Sequence, residues 1–128
     1  MSQTKTHFHS IKETISLTTQ AFIDGNYCDA LDGGKLETKN PATGEIMASF
    51  AHCKASDVDK AVAAGRRVFN EGVWSRSAPE YRKEVLLKLA TLVENHRNEL
   101  AVLESIDAGR TITACLRGVG TEAPACFR

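Results

Sequence analysis

Hydrophobic positions along the chain follow two regimes. Up to about residue 53 they alternate with polar residues or stand singly between turn formers; from about residue 55 they recur every three or four positions. The first regime predicts short strands and the second amphipathic helices. In "AFIDGNYCDA", Asp24-Gly25 sits between Phe22-Ile23 and Asn26-Tyr27. Asp-Gly between strand formers predicts a hairpin, because glycine accepts the positive φ that a type I′ turn demands. Gly33-Gly34 breaks the chain, and Leu36 to Lys39 resumes an extended run. In "NPATGEIMASF", Pro41 sets φ and Gly44 is free to turn left-handed, while Ile46, Ala48 and Phe50 share one side at period two. Leu36–Lys39 and Ile46–Phe50 are therefore expected to pair across the Asn40–Gly44 turn.

The rest predicts helices. Ser56 is positioned to cap "SDVDKAVAAGRRVFNEG", with Asp59 three residues later. Val58, Ala61, Val62, Gly65 and Phe69 fall on one face, and Gly72 is a stop. Ser77-Ala78-Pro79-Glu80 is a capping box with proline in the first turn. Beyond it, Val85, Leu89, Leu92, Val93 and His96 form a stripe, with Glu84 and Lys88 paired on the other face. A third helix is expected from about Asn98 to Asp107, carrying Leu100, Leu103 and Ile106, and stopping at Gly109. A short fourth helix is expected from Thr111, followed by the small, turn-rich "RGVGTEAPACFR". Residues 1–20 mix charges with single apolar residues and are expected to form a polar leader, flexible at its start.

Composition narrows the partners. The 128 residues suffice for one domain with a modest core. Sixteen basic residues balance sixteen acidic ones, so no net charge favours nucleic acid or an anionic membrane. No apolar run approaches the roughly 18 residues a membrane span needs, and the first twenty residues lack the apolar core of a secretory signal. The expected location is the cytoplasm. Cys28, Cys53, Cys115 and Cys126 form no CxxC pair and are expected to be free thiols. No neighbouring base argues for a reactive thiolate at any of them.

Other candidates have ordinary explanations. His7 and His9 make an H-x-H without further metal ligands at usable spacing. His52-Cys53 ends a strand, and His96 lies near a helix end, where a partly buried histidine needs no ligand. Trp74 could anchor a ligand, although packing under its loop is the commoner use. GxGxxG, GxxxxGK[ST] and GxSxG are absent. Asp57 and Asp59 suit the positive end of a helix dipole. Residue chemistry by itself reaches an α+β chain of unassigned function.

Ordered motifs add more. "AFIDGNY", "NPATGEIMA", "SDVDKAVAAGRRVFNEGVW" and "PEYRKEVLLKLATLVENHRNELAVLESIDAGR" follow one another with spacings that resemble the amino-terminal part of the aldehyde dehydrogenase superfamily. The resemblance runs from about Phe22 to about Arg110. "VFNEGVWSRSAPEYRKEVLLKLA" and "ELAVLESIDAG" are most similar to the branch that oxidises γ-glutamyl-γ-aminobutyraldehyde and related amino-aldehydes. The chain departs from the family at Asp107-Ala108-Gly109-Arg110-Thr111, where Asp-Thr-Gly-Lys-Pro is common. The third helix is accordingly expected to end more loosely. After Leu116 the resemblance fades.

The resemblance implies an α/β family fold. Residues 21–128 would form its opening portion: a β-hairpin layer, then three to four amphipathic helices leading into a Rossmann-like coenzyme domain. It implies oxidation of an aldehyde to an acid with NAD or NADP. In the family a cysteine thiolate attacks the aldehyde, backbone and asparagine donors hold the oxyanion, hydride passes to nicotinamide, and a glutamate-activated water releases the acid. Those parts correspond to sequence beyond Arg128, and none of Cys28, Cys53, Cys115 or Cys126 aligns with the nucleophile. No cofactor and no activity are thus expected of these residues alone. Family members are usually homo-oligomers. Some bind a monovalent cation, for which Thr38 and Lys39 would offer backbone carbonyls and Asp107 its carboxylate; a helix-end hydrogen bond is the plainer role for Asp107. Helix faces that normally cover a sheet would stay partly uncovered, predicting marginal stability and association. The alternatives are a non-catalytic helical interaction module derived from such an enzyme, or a complete enzyme of which this sequence is a fragmentary gene model or an early-stopped reading frame.

Overall fold

The computed structural model describes residues 2–128, so Met1, the first residue of the expected leader, lies outside the described residues. The elements run α1 (Ser2–Thr14), β1 (Ala21–Ile23), β2 (Asn26–Cys28), β3 (Lys35–Lys39), β4 (Ile46–Ala51), α2 (Ala55–Glu71), α3 (Pro79–Asn95), α4 (Arg97–Ala108) and α5 (Ile112–Arg117). A π-helical turn (Gly118–Glu122) and the short α6 (Ala123–Ala125) complete the chain. The residues divide into two compact units. One holds the chain up to Ser16, the turn Asn40–Glu45 and Pro79–Arg128; the other holds Leu17–Lys39 and Ile46–Ala78. Among the described residues no helix is long and apolar enough to cross a membrane.

The unit containing the strands begins with the Asp-Gly hairpin. Ile23 pairs with Asn26, leaving Asp24 and Gly25 as the two-residue turn. Both have positive φ, 51° and 79°, as a type I′ turn requires. Phe22 lies opposite Tyr27 with ring centroids 5.0 Å apart. The second hairpin also forms as expected, from Lys35 opposite Ala51 to Lys39 opposite Ile46, with an irregularity between Thr38 and Lys39. Helix α2 starts one residue before the expected cap. Lys54 occupies the N-cap and Ser56 lies inside the helix. The cap is decided by Asp57 at the third helical position, whose Oδ2 accepts from the Lys54 backbone N–H at 2.9 Å. Its Oδ1 accepts from the Leu31 N–H at 3.0 Å, a donor from a distant loop that Ser56 does not reach. Arg67 of α2 pairs with Asp24 of the hairpin turn at 2.6 Å.

In the other unit the segment expected as a polar leader is helical. Phe8, Ile11 and Ile15 repeat at helical spacing and are half-buried where α1 packs on α4. Single apolar residues among charges concealed that period. Pro79 opens α3, and His96 alone separates α3 from α4. Ala90, Ala101, Val102, Cys115 and Pro124 form the buried centre of this unit. The end of α4 is firmly tied rather than loose. Gly109 caps it in the left-handed region and donates to Ser105 O at 3.0 Å, the Ser105 hydroxyl donates to Arg110 O at 2.7 Å, and Arg110 pairs with Glu104. The final stretch, expected as turns, is helical instead, and Arg128 grips Glu94 of α3 through two 2.7 Å hydrogen bonds.

The Asn40–Glu45 turn is organised by Asn40, which is buried. Its N–H donates to Glu45 O at 2.9 Å, its carbonyl accepts from Gly44 N–H at 2.7 Å, and its side-chain Oδ1 accepts from Ala42 N–H at 2.9 Å. The last bond is an Asx turn, which adds a side-chain acceptor to the two backbone bonds that close the loop. Pro41 of this turn packs on the α4 cap: a Cβ at Gly109 would lie 2.8 Å from Pro41 Cγ.

Candidate functional site

The sequence-predicted cation ligands lie on two elements. Thr38 and Lys39 are the last residues of β3, at the irregularity of its pairing with β4, and belong to the strand-containing unit. Asp107 lies in the last turn of α4 and belongs to the helical unit. Among the described residues, no group of three or more His, Cys, Asp or Glu side chains is arranged to hold a metal ion. His7 and His9 are two residues apart on α1 and exposed, a spacing that points them away from each other. His96 Nδ1 lies 3.0 Å from Glu99 Oε2 at the start of α4, and His52 lies 2.9 Å from Lys54 Nζ; both are local contacts. Trp74 is 42% exposed and its carbonyl accepts from the Ser77 hydroxyl at 2.7 Å.

Two of the thiols, Cys53 and Cys115, sit where the thiolate is disfavoured. All four cysteines are free. Burial pushes the Cys53 thiol up, and the Asp57 carboxylate adds to the effect. Burial also raises Cys115, with Glu104 contributing in the same direction. A raised thiol pKa leaves less thiolate at neutral pH, the opposite of what nucleophilic attack needs. Cys126 donates to the Glu122 carbonyl at 3.3 Å.

Asp57 is the residue whose role the sequence understated. Its carboxyl is held below the ordinary range, first by the Lys54 backbone N–H and also by that of Leu31. The signal was present as the spacing of N-cap Lys54 to Asp57, but Ser56 offered a more conventional cap. Because both carboxylate oxygens are occupied by backbone donors, Asp57 ties loops together rather than facing a substrate.

A cavity of about 420 Å³ opens in the helical unit, lined by Phe8 and Lys12 of α1, Val102 and Ile106 of α4, and Ile112 and Leu116 of α5. The lining is mainly apolar, with Lys12, His9, Ser105 and Thr113 as its polar members. The first turns of α2, α3 and α4 carry Asp57, Glu80 and Glu99, so each places a carboxylate where a pyrophosphate would need free N–H groups.

Comparison with known proteins gives this arrangement a context. The sequence profile of the aldehyde dehydrogenase family matches residues 28–127. The chain is 47% identical over 108 residues to aminoacetaldehyde dehydrogenase of Pseudomonas aeruginosa, covering 84% of this chain and 22% of that protein. It is 42% identical over 104 residues to the NADP/NAD-dependent aldehyde dehydrogenase PuuC of Escherichia coli, covering 81% and 21%. The crystal structure of gamma-glutamyl-gamma-aminobutyraldehyde dehydrogenase from Burkholderia cenocepacia superposes with a TM-score of 0.90 at 36% identity, covering 94% of this chain and 24% of that one. The aldehyde dehydrogenase KauB from Pseudomonas aeruginosa gives the same TM-score at 30% identity. The chain thus spans about a fifth of the length of the curated relatives it matches.

Proposed function

The chain belongs to the aldehyde dehydrogenase family, and we propose that it serves as the opening part of the scaffold of an enzyme that oxidises an amino-aldehyde to its carboxylic acid with NAD or NADP. The observation that carries this reading is the superposition on the gamma-glutamyl-gamma-aminobutyraldehyde dehydrogenase, with a TM-score of 0.90 over 94% of this chain. The 47% identity to an aminoacetaldehyde dehydrogenase supports the same substrate class, a short aldehyde bearing nitrogen. PuuC, described as using NADP or NAD, supports the cofactor class.

The residues present here hold the scaffold. Asp57 ties the loop at Leu31 to the start of α2, and Asn40 with Pro41 builds the turn that packs on the Gly109 cap. The acidic first turns of α2, α3 and α4 disfavour a pyrophosphate at those helix starts, which supports placing the dinucleotide elsewhere in the enzyme. No hydride or proton step is therefore assigned to them.

Two measurements test the reading. The purified 128-residue chain, given aminoacetaldehyde and NAD, is expected to form no reduced nicotinamide. Exchanging this segment for the matching one in the Pseudomonas aeruginosa enzyme is expected to leave kcat/KM within about tenfold, a barrier change near 1.4 kcal/mol. Turnover by the 128 residues alone would overturn the scaffold role. A folded chimera without activity would overturn the proposed enzyme.

A further inference from the structure

We propose that the cavity between α1, α4 and α5 is a binding site for a medium-chain carboxylate, a ligand separate from the aldehyde and dinucleotide considered above. The three helices belong to one compact unit, and α1 packs on α4. Helical spacing brings the lining together. Phe8 and Lys12 stand four residues apart on α1, and His9 and Lys12 three apart, so one face of this helix offers both an apolar and a cationic surface. Val102 and Ile106 face the cavity from α4, and Ile112 and Leu116 from α5, each pair again four residues apart.

The volume and the lining select an alkyl chain. About 420 Å³ falls within the roughly 300–1,000 Å³ of small-molecule sites. Such a space takes more than a dozen waters, and each needs two to four polar partners. Few are on offer. The Ser105 hydroxyl is already spent on the Arg110 carbonyl at 2.7 Å, which leaves Thr113, His9 and Lys12. An alkyl chain needs no such partners and takes the apolar walls out of water.

Charge selects the head group. Lys12 lines the cavity and, among the described residues, no carboxylate does. Among the described residues no ion pair engages Lys12 either. An anionic head therefore meets a cation without an internal competitor, whereas an ammonium head meets only repulsion. Lys12 and His9 are exposed, while Phe8, Ile106, Ile112 and Leu116 are half-buried. The site thus runs from a wet cationic end to a drier apolar one, as a carboxylate with an alkyl tail does.

The test is calorimetry of the 128-residue chain at pH 8 with hexanoate, octanoate, decanoate and decylammonium. One decanoate per chain is expected, with affinity rising about two- to fourfold per added methylene. Decanoate should bind at least about threefold more tightly than decylammonium, the scale of an exposed ion pair. Lys12→Glu should reverse that preference with the helical circular dichroism unchanged. Leu116→Trp, which fills the cavity, should weaken decanoate at least about tenfold, and Ile112→Phe replaces it if that variant does not fold. Val62→Asp, on the exposed face of α2 in the other unit, should leave binding as it was. No saturable binding of decanoate would overturn the site. So would a preference indifferent to Lys12→Glu, or a loss on Val62→Asp equal to that on Leu116→Trp, which would mean adsorption to open apolar surface. Aldehyde turnover plays no part in these readouts, so the two readings fail separately.

Discussion

At the scale of single residues, Asp57 and Gly109 show how backbone demands select side chains. Asp57 contributes stability while ionised, because its two oxygens hold two backbone N–H groups. Its lowered pKa means that this contribution is complete above the ordinary carboxylate range and is lost as pH falls through the folded-state value. Asp57→Asn replaces one acceptor with an NH₂ that faces a backbone donor. Thermal melts should show the variant less stable than the parent at pH 7, with the gap narrowing as pH falls below the ordinary carboxylate range. A gap that stays constant down to about pH 2 would show that the carboxylate charge is not what matters. Gly109 is constrained twice, by a φ of 68° and by Pro41. Gly109→Ala should cost at least the ~1–2 kcal/mol of a left-handed non-glycine residue, read from urea unfolding. The contact between the α4 cap and the Pro41 turn could not be read from the sequence, because 68 residues separate them.

At the scale of elements, local rules worked wherever the determining residues are neighbours. The Asp24-Gly25 hairpin, the Asn40–Glu45 turn, the Pro79 start of α3 and the Gly72 and Gly109 stops all form where their turn and cap residues stand. Helix α1 was hidden because its short polar sequence becomes helical against α4, a neighbour 80 or more residues away. The start of α2 shifted for a related reason, since Leu31 decides which carboxylate is buried. Helix α2 also offers a clean substitution. Gly65→Ala meets no obstacle within 4 Å, so it should stabilise the chain by about 1 kcal/mol through helix propensity. Chemical denaturation of the 128-residue chain measures it, and a loss of stability would reveal a neighbour on that face.

At the scale of the molecule, the balance is set by how little is covered. Among the described residues the buried apolar side chains are small or few: Ala30, Ala90, Ala101, Val102, Cys115 and Pro124. Phe22, Tyr27, Val58, Val62, Phe69 and Leu92 each keep more than half of their surface exposed. Fully burying one such side chain is worth roughly 1.5–3 kcal/mol, and that stabilisation is forgone here. The chain is therefore expected to melt over a broad range, to bind a hydrophobic dye before melting, and to associate as concentration rises. A sharp two-state transition from a monomer that binds no dye would contradict this.

The order of hairpins and amphipathic helices and the positions of most turns and caps were decided by the sequence alone, because each depends on residues within a few positions of one another. The resemblance to aldehyde dehydrogenases was legible for the same reason, as a run of local motifs in order. The tertiary structure decided which carboxylate is buried, that the first residues coil into a helix, how the Pro41 turn meets the α4 cap, and which apolar faces stay open. Those outcomes depend on groups far apart in the chain, whose contacts exist only once it has folded.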